Sequence, residues 1–264
     1  MILRGSWLSK ALEMQTGVTV VGPDHETAGR PYRVCYLLHG LCGNHGDWAE
    51  NTLLPLYAQA YDVLFITPEV GRSFYADMQF GQKFFTYVQQ ELPELCARYF
   101  HISTQREDSF VIGGSMGGYG ALKCALTAPG QYIACCALSS CFLFLDESLR
   151  NVREHPQIVQ ARVGTQAVND LAAAYGPEFH WAPENDLLAL ACSAATTPEK
   201  PRLFLACGTE DSFLENHRRF QKAMQALPFE LTYRELPGHH DWYYFDRALK
   251  AALTFCFDTD DGNS

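Results

Sequence analysis

Short apolar runs alternate with longer amphipathic segments along most of this chain of 264 residues. The short runs are rich in β-branched and aromatic residues and predict strands, while the longer segments repeat their apolar positions at helical spacing. Such alternation is typical of a mostly parallel sheet that carries helices on both faces. The sequence therefore predicts a doubly wound α/β fold, in which functional side chains lie at the carboxyl ends of the strands.

The clearest predicted strands cover residues 34–38, 63–67, 109–112, 133–138, 202–207 and 230–236. Predicted helices cover about 82–99, 117–127, 214–226 and 241–255. A weaker apolar run at 17–21 predicts an antiparallel strand at one edge of the sheet.

Residues 142–200 interrupt the alternation. They contain no clear strand, and helical pieces at 166–174 and 187–193 are separated by aromatic and proline-containing turns. An insertion of this length at the carboxyl edge of a sheet predicts a cap over an active site. Peripheral packing of the insertion is the alternative interpretation.

The length and the absence of linker-like sequence predict one domain over residues 1–264, ending in an acidic tail at about 258–264. Lys and Arg total 20 against 30 Asp and Glu, a net charge of −10 that disfavours nucleic acid as a partner. No apolar run is long enough to span a bilayer, and the N-terminus lacks the sustained apolar run of a secretory signal. We therefore expect a cytoplasmic protein with no membrane partner.

Ten cysteines occur in the sequence, several of them within apolar strand or helix patterns, and no C-x-x-C pair is present. This distribution indicates buried free thiols in a reducing compartment and argues against a disulfide or zinc framework. No metal site is predicted.

A glycine-rich turn follows the strand predicted at 109–112. It reads Gly113-Gly114-Ser115-Met116-Gly117, a G-x-S-x-G sequence between a strand and a helix, which is the arrangement of a nucleophile elbow. Side chains two residues before and after the serine would collide with the neighbouring strand and helix, so glycine is needed there. We predict Ser115 as the nucleophile of a hydrolase; a tight turn with an exposed serine is the alternative.

Two later loops supply partners for this serine, which needs a base and a third group that orients the base. Asp211 follows the strand predicted at 202–207, and His240 follows the strand predicted at 230–236. The chain order Ser, Asp, His is the order expected on this architecture. We therefore predict Asp211 and His240 as the acid and the base.

Other interpretations of these two loops remain open at this stage. Asp211 could only shape its turn, because Ser212 and Glu215 have the spacing of a helix capping box. Glu210 is a neighbouring acid, and His239 is a neighbouring base.

The oxyanion hole is predicted from two backbone N–H groups, those of Met116 after the serine and of Leu41 in the loop after the strand at 34–38. His39, which precedes that loop, is expected to brace it and not to transfer protons. Bulky apolar residues in the segments around the predicted site are the candidate walls of the substrate pocket. They are Trp48, Trp181, Phe213 and Trp242, together with Leu41 and Met116.

Between Tyr36 and Phe245 the chain carries a series of distinctive motifs. In order they are Leu38-His39-Gly40, Thr67-Pro68-Glu69-Val70-Gly71-Arg72-Ser73-Phe74-Tyr75, Phe85-Thr86-Tyr87-Val88, Gly114-Ser115-Met116-Gly117-Gly118-Tyr119-Gly120-Ala121, Cys207-Gly208-Thr209-Glu210-Asp211 and His240-Asp241-Trp242. With these motifs the chain resembles the esterase D superfamily of α/β-hydrolases, most closely its bacterial tributyrin-esterase-like branch. The resemblance implies hydrolysis of short-chain carboxylic esters without metal or organic cofactor, with Ser115, Asp211 and His240 as the triad. It also implies a possible homo-oligomer.

The chain departs from that family at His239, where glycine is usual. S-formylglutathione hydrolases resemble the chain less, because they carry Ser-Gly-Leu-Thr-Cys where this sequence has His-Gly-Leu-Cys-Gly. Four rival functions remain: release of acetyl or feruloyl groups from plant oligosaccharides, thioester hydrolysis of the S-formylglutathione type, acyl transfer, and binding by a non-catalytic module. Cys42 is disfavoured as the nucleophile because it does not lie on an elbow.

Overall fold

The computed structural model describes residues 1–25 and 28–257, so the acidic tail predicted at 258–264 lies outside the described residues. The strands in the described residues are β1 Ile2–Ser9, β2 Met14–Val21, β3 Arg33–Leu38, β4 Val63–Pro68, β5 Ser109–Gly114, β6 Ala134–Leu138, β7 Arg202–Gly208 and β8 Leu231–Leu236.

All of these strands belong to one sheet, in the order β1-β2-β4-β3-β5-β6-β7-β8. β2 pairs antiparallel with β1 and with β4, and every other neighbouring pair is parallel. This mixed, mostly parallel sheet confirms the predicted α/β class and the antiparallel edge. The carboxyl ends of β3, β5, β7 and β8 consequently share one edge of the sheet, where the candidate residues lie.

The helices of the described residues are α1 Asp47–Asn51, α2 Leu54–Tyr61, α3 Phe84–Thr86, α4 Leu92–Tyr99, α5 Met116–Thr127, α6 Leu145–Glu154, α7 Pro156–Val163, α8 Thr165–Tyr175, α9 Leu187–Ala194, α10 Leu214–Met224 and α11 Trp242–Phe257. A π-helical turn, Tyr87–Glu91, joins α3 to α4. Short 3-10 turns cover Arg106–Asp108 and Pro183–Asn185.

Alternate residues of the central strands point to opposite faces of the sheet, and each face has its own apolar core. On one face Tyr36 and Val111 pack with α4, α5 and the helices of the insertion. On the other face Leu37 and Ile112 pack with α2 and α11. The helices therefore cover both faces, as the near-continuous apolar strands predict.

Strand β1 is the main element that the sequence pattern does not predict. It lies at the edge of the sheet, and Ser9 is the one fully buried residue among its eight. A strand that is exposed on both faces lacks the alternation of apolar and polar residues on which prediction depends. The short helices α1, α2, α6 and α7 are likewise not predicted.

The insertion at 142–200 contains helices α6 to α9 and, within its described residues, no strand. Leu149, Leu171 and Leu187 belong to the same core as the sheet and α5. The backbone N–H groups of Gln79 and Phe80 donate to the carbonyls of Ala174 and Ala173. The insertion thus packs against the side of α5 and shares the core of the sheet.

All ten cysteines are free thiols, and seven of them are buried, whereas Cys42 and Cys192 are exposed. The Sγ atoms of Cys136 and Cys256 approach to 3.5 Å without being joined. Burial raises the pKa of most of these thiols, for example that of Cys124 to about 12, so they are protonated at neutral pH. No helix in the described ranges combines the length and apolar character required to cross a bilayer.

Candidate active site

Ser115 occupies a sharp turn between β5 and α5, with φ 57° and ψ −119°. A Cβ atom at Gly113 would lie 2.0 Å from the carbonyl oxygen of Gly117, and one at Gly117 would lie 2.1 Å from the carbonyl oxygen of Leu38. Both distances are far below van der Waals contact, which confirms the steric reason for glycine at these two positions. The turn presents the serine at the amino end of α5, where the helix dipole favours negative charge.

Asp211 and His240 are joined by a hydrogen bond of 2.7 Å between Oδ2 and Nδ1. The Asp211 side chain is fully buried, and its Oδ1 accepts a second hydrogen bond from the N–H of Phe213. Burial alone would raise the pKa of Asp211, but hydrogen bonds and the charge of His240 outweigh burial and lower this pKa. The carboxylate therefore stays ionised and holds the proton on Nδ1 of His240, leaving Nε2 as the basic nitrogen.

The capping box considered for Ser212 and Glu215 is wrong. Helix α10 begins at Leu214, and its N-cap residue Phe213 receives no side-chain cap. Asp211 nevertheless shapes the turn through its bond to Phe213, in addition to contacting His240.

Ser115 and His240 line one cavity of about 310 Å³. In the described part of the chain no hydrogen bond joins the Ser115 hydroxyl to His240, so the second link of a proton relay is open in this conformation. Such links are often long in the absence of substrate. The other lining residues are Gly40, Leu41, Cys42, Gly43, Asp47, Trp48, Gly114, Asp241, Trp242 and Phe245.

The loop after β3 lies directly against the nucleophile turn. A Cβ atom at Gly40 would be 3.3 Å from the Cβ of Ser115. Among the described residues, the backbone N–H groups of Leu41 and Met116 donate to no acceptor. Two unengaged donors beside the serine are what an oxyanion hole requires.

The orientation of the Leu41 N–H is fixed through the preceding carbonyl. Gly40 O accepts from Nδ1 of His39 at 2.8 Å and from the N–H of Gly43 at 3.2 Å. Because a trans peptide places its C=O and N–H on opposite sides, a bonded Gly40 carbonyl sets the direction of the Leu41 N–H.

His39 is fully buried and braces this loop, as predicted. Its Nε2 accepts from the N–H of Val70 at 3.2 Å, so its single proton lies on Nδ1. Glu69 lies beside it and accepts from the N–H groups of Gly71 and His45. Burial would raise the pKa of Glu69, but its hydrogen bonds outweigh burial and lower the pKa to about 2.

The candidate wall residues separate into two groups. Trp48 and Trp242 line the cavity and meet edge to face at 5.3 Å between ring centroids. Phe213 instead packs against the ring of His240, outside the cavity lining. Trp181 is 39% exposed, and its Nε1 donates to Asp186. Trp181 therefore does not form a wall of this cavity, contrary to expectation.

None of the described residues of the insertion at 142–200 lines the cavity. The insertion is connected to the cavity lining through Asp170, which pairs with Arg72. Arg72 in turn donates from Nη1 to Sγ of the lining residue Cys42 at 2.8 Å. This arrangement is the peripheral packing that the sequence left as the alternative to a cap.

Phe245 and Asp47 are among the lining residues that sequence reasoning missed. Phe245 lies three residues after Trp242 on α11, so both rings project from the same helix face toward Trp48. Helical spacing from Trp242 could have identified it. Asp47 begins the unpredicted helix α1, and no motif marks it.

The other predicted alternatives lie elsewhere. Glu210 accepts hydrogen bonds from the Gly238 N–H and the Thr209 hydroxyl, and His239 is exposed outside the cavity lining. Among the described residues no group of three or more His, Cys, Asp or Glu side chains is arranged to hold a metal ion.

The fold and this site define a serine hydrolase of the α/β-hydrolase class that acts on carboxylic esters. Residues 9–256 match the Esterase family, and the chain belongs to that family, within its esterase D and S-formylglutathione hydrolase-like group.

Three known proteins illustrate the similarity. The acetyl esterase of Caldicellulosiruptor saccharolyticus is 25% identical over 267 residues, covering 96% of each chain. The S-formylglutathione hydrolase FrmB of Staphylococcus aureus is 25% identical with a TM-score of 0.83, covering 97% of this chain and 98% of its own. FphF, a fluorophosphonate-binding serine hydrolase of S. aureus, is 24% identical with a TM-score of 0.82. The match covers 98% of this chain and 99% of FphF, and it shows the shared fold.

Proposed function

We propose that this protein hydrolyses short-chain carboxylic esters, with Ser115 as the nucleophile, His240 as the general base and Asp211 as the group that orients His240. The observation that carries the proposal is the bond between Asp211 and His240 beside a cavity that His240 shares with Ser115. The unengaged N–H groups of Leu41 and Met116 support it as the oxyanion hole.

In the first half of the reaction, Ser115 Oγ forms a bond to the ester carbonyl carbon while Nε2 of His240 takes the hydroxyl proton. The carbonyl oxygen becomes an oxyanion and accepts from the N–H groups of Leu41 and Met116. The bond to the alcohol then breaks, and His240 returns the proton to the leaving oxygen. The product of this half is an acyl-serine.

In the second half, His240 removes a proton from water, and the hydroxide oxygen attacks the acyl carbon. The bond between Ser115 Oγ and that carbon breaks, and Ser115 recovers its proton from His240. Asp211 remains ionised throughout and stabilises the imidazolium that forms in each half.

The cavity supports a small acyl group and a neutral leaving group. Its volume of about 310 Å³ lies at the small end of ligand pockets. Its described lining residues include two carboxylates, Asp47 and Asp241, and no Lys or Arg. Arg72 lies behind Cys42, where Asp170 neutralises it. The lining therefore disfavours an anionic leaving group such as glutathione.

A set of matched esters tests the proposal: acetyl, butyryl and octanoyl esters of one alcohol, tributyrin, acetylated and feruloylated sugars, and S-formylglutathione. We expect kcat/KM to fall about tenfold or more from butyryl to octanoyl as the acyl chain exceeds the cavity. We also expect kcat/KM to be higher for the oxygen esters than for the thioester. Ser115→Ala should lower kcat by several orders of magnitude, and full activity in that variant would refute the assignment.

Hydrolysis of S-formylglutathione is the second candidate, because FrmB has a TM-score of 0.83 against this chain. A higher kcat/KM for S-formylglutathione than for every oxygen ester would establish it. The free thiols support a reducing, cytoplasmic location, which cell fractionation would check.

A further inference from the structure

The nucleophile helix α5 carries a buried lysine that the proposed mechanism does not use. Lys123 is 2% exposed. Its Nζ donates to the carbonyl oxygen of Tyr75 at 3.0 Å and to Oδ1 of Asn185 at 2.6 Å. The same Nζ lies 4.1 Å from the centroid of the Phe85 ring. A buried ammonium that is held by neutral oxygens and an aromatic face is costly, so its retention calls for a role.

Tyr75 connects this ammonium to the loop after β3. Its side chain is fully buried, and its hydroxyl donates to the carbonyl oxygen of His39 at 2.9 Å. A Cβ atom at Gly120 would lie 2.5 Å from the Tyr75 ring, so the ring packs directly on the backbone of α5. Tyr75 is therefore fixed between the nucleophile helix and the residue that begins the oxyanion loop.

The backbone around Tyr75 is strained and needs external support. Phe74 and Tyr75 have φ values of 51° and 50°, in the left-handed region that bulky side chains rarely adopt. Two consecutive residues in this region persist only where the surroundings over-determine their conformation. The hydrogen bond from Lys123 to the Tyr75 carbonyl is one of the contacts that hold this conformation.

Building on the proposed function, we propose that Lys123 is a positioning residue for the oxyanion hole. Its ammonium holds the strained Tyr75, the Tyr75 hydroxyl holds the His39 carbonyl, and His39 holds the Gly40 carbonyl that directs the Leu41 N–H toward the serine. Lys123 and Ser115 lie on the same strand-to-helix unit. One rigid element therefore positions both donors of the oxyanion hole, the Met116 N–H directly and the Leu41 N–H through Lys123.

The charges around Lys123 make this link sensitive to pH. Burial lowers its pKa to about 8, while the charges of Asp77 and Glu184 act in the opposite direction. The hydroxyls of Tyr75 and Tyr119 are protonated in this range, because burial raises both of their pKa values well above the usual value. As pH rises through about 8, the ammonium loses its proton and the charge-assisted bond to Tyr75 weakens.

The test compares two variants that break the link with one that leaves it intact. Lys123→Met removes the ammonium and keeps the apolar stem, and Tyr75→Phe removes only the hydroxyl on His39. The control is Tyr119→Phe, which removes the hydroxyl that donates to the Asn185 carbonyl on the other side of the lysine. Circular dichroism and thermal melting check that each variant is folded.

We expect Lys123→Met and Tyr75→Phe each to lower kcat about tenfold with KM within about twofold, because a displaced oxyanion donor acts on the transition state. The double variant should lose about as much as the larger single loss, since both changes break one link. The wild-type kcat should decline above pH 8, and this decline should be absent in Lys123→Met. Tyr119→Phe should stay within about twofold of wild type.

A second readout separates this proposal from the proposed ester hydrolysis. The rate at which a fluorophosphonate labels Ser115 depends on the oxyanion hole and needs no ester substrate, and it should fall about tenfold in the same two variants. Unchanged kcat and labelling in Tyr75→Phe, or an equal loss in Tyr119→Phe, would overturn the role of Lys123 while leaving ester hydrolysis intact. Tyr75→Phe decides the question if Lys123→Met does not fold. A wild type that is labelled but hydrolyses no ester would refute the proposed function alone, and one that is neither labelled nor active would overturn both.

Discussion

Asp211 and His240 are joined by a hydrogen bond of 2.7 Å, although 29 positions separate them in the sequence. Each residue lies in the loop that follows its own strand, and the parallel pairing of β7 with β8 places the two loops side by side. Because the Asp211 side chain is fully buried, its charge is weakly screened and fixes the imidazole in one orientation.

Asp211→Asn should lower kcat by about four orders of magnitude, because an amide leaves the wrong nitrogen of His240 protonated. The matched control is Glu210→Gln, a neighbouring exposed carboxylate that accepts from Gly238 and Thr209. Steady-state kinetics on a butyryl ester measures both. A larger loss in Glu210→Gln than in Asp211→Asn would assign the acid to Glu210.

Two substitutions of His39 separate its donor from its acceptor. His39→Asn keeps an N–H near the position of Nδ1, whereas His39→Leu removes both ring nitrogens. We expect His39→Leu to lower kcat by about tenfold to a hundredfold through a misdirected Leu41 N–H, and His39→Asn to lose less. Equal losses in the two variants would show that the bond to the Gly40 carbonyl is not the relevant one.

The buried His217 predicts loss of stability in mild acid. Burial lowers its pKa from 6.5 to about 4, so between these values the unfolded chain binds a proton that the folded chain does not. The contribution is therefore fully present above pH 6.5 and declines as pH falls toward 4. Over this window the free energy of unfolding should fall by about 3 kcal/mol from this residue.

Urea denaturation of the wild type and of His217→Phe at a series of pH values measures this contribution. The variant should show a shallower decline in mild acid, because a neutral ring has no proton to bind. The exposed His101→Phe is the control and should keep the wild-type slope. Parallel curves for the wild type and His217→Phe would contradict the interpretation.

The carboxylate of Asp47 predicts discrimination by charge. Burial raises the pKa of Asp47. Asp47 and Asp241 both line the cavity, and its described lining residues include no Lys or Arg. Asp47→Asn should therefore raise kcat/KM for an anionic glutathione thioester about fivefold relative to a neutral ester of the same acyl group, the scale of one Coulomb interaction at about 4 Å in water. The ratio should also become less dependent on salt. An unchanged ratio would mean that the leaving group does not pass Asp47.

The strand-end chemistry could be predicted from the sequence because it is local. Ser115, Asp211 and His240 each follow an apolar strand within a few residues, and parallel strands bring such loops to one edge. The need for glycine at 113 and 117 is also largely local, since the atoms that a side chain would strike there belong to the same strand-turn-helix unit and to the end of β3.

The parts that could not be predicted depend on long-range packing. Trp181 is an aromatic residue in a turn, and nothing in its neighbours shows that it faces Asp186 and solvent and not the cavity. The placement of the insertion beside α5 depends on contacts such as Gln79 with Ala174, which join segments distant in sequence. Lys123 lies among apolar residues of α5, and only the folded chain shows that oxygens of Tyr75 and Asn185 accept its hydrogen bonds.

The lateral position of the insertion has a kinetic consequence. A lipase whose mouth is covered needs an oil surface to uncover it, so its rate jumps when substrate passes its solubility limit. In this chain the lining of the nucleophile's cavity includes none of the residues that the structure describes within 142–200. We therefore expect a hyperbolic dependence of rate on dissolved tributyrin, with no lag and no jump when droplets form.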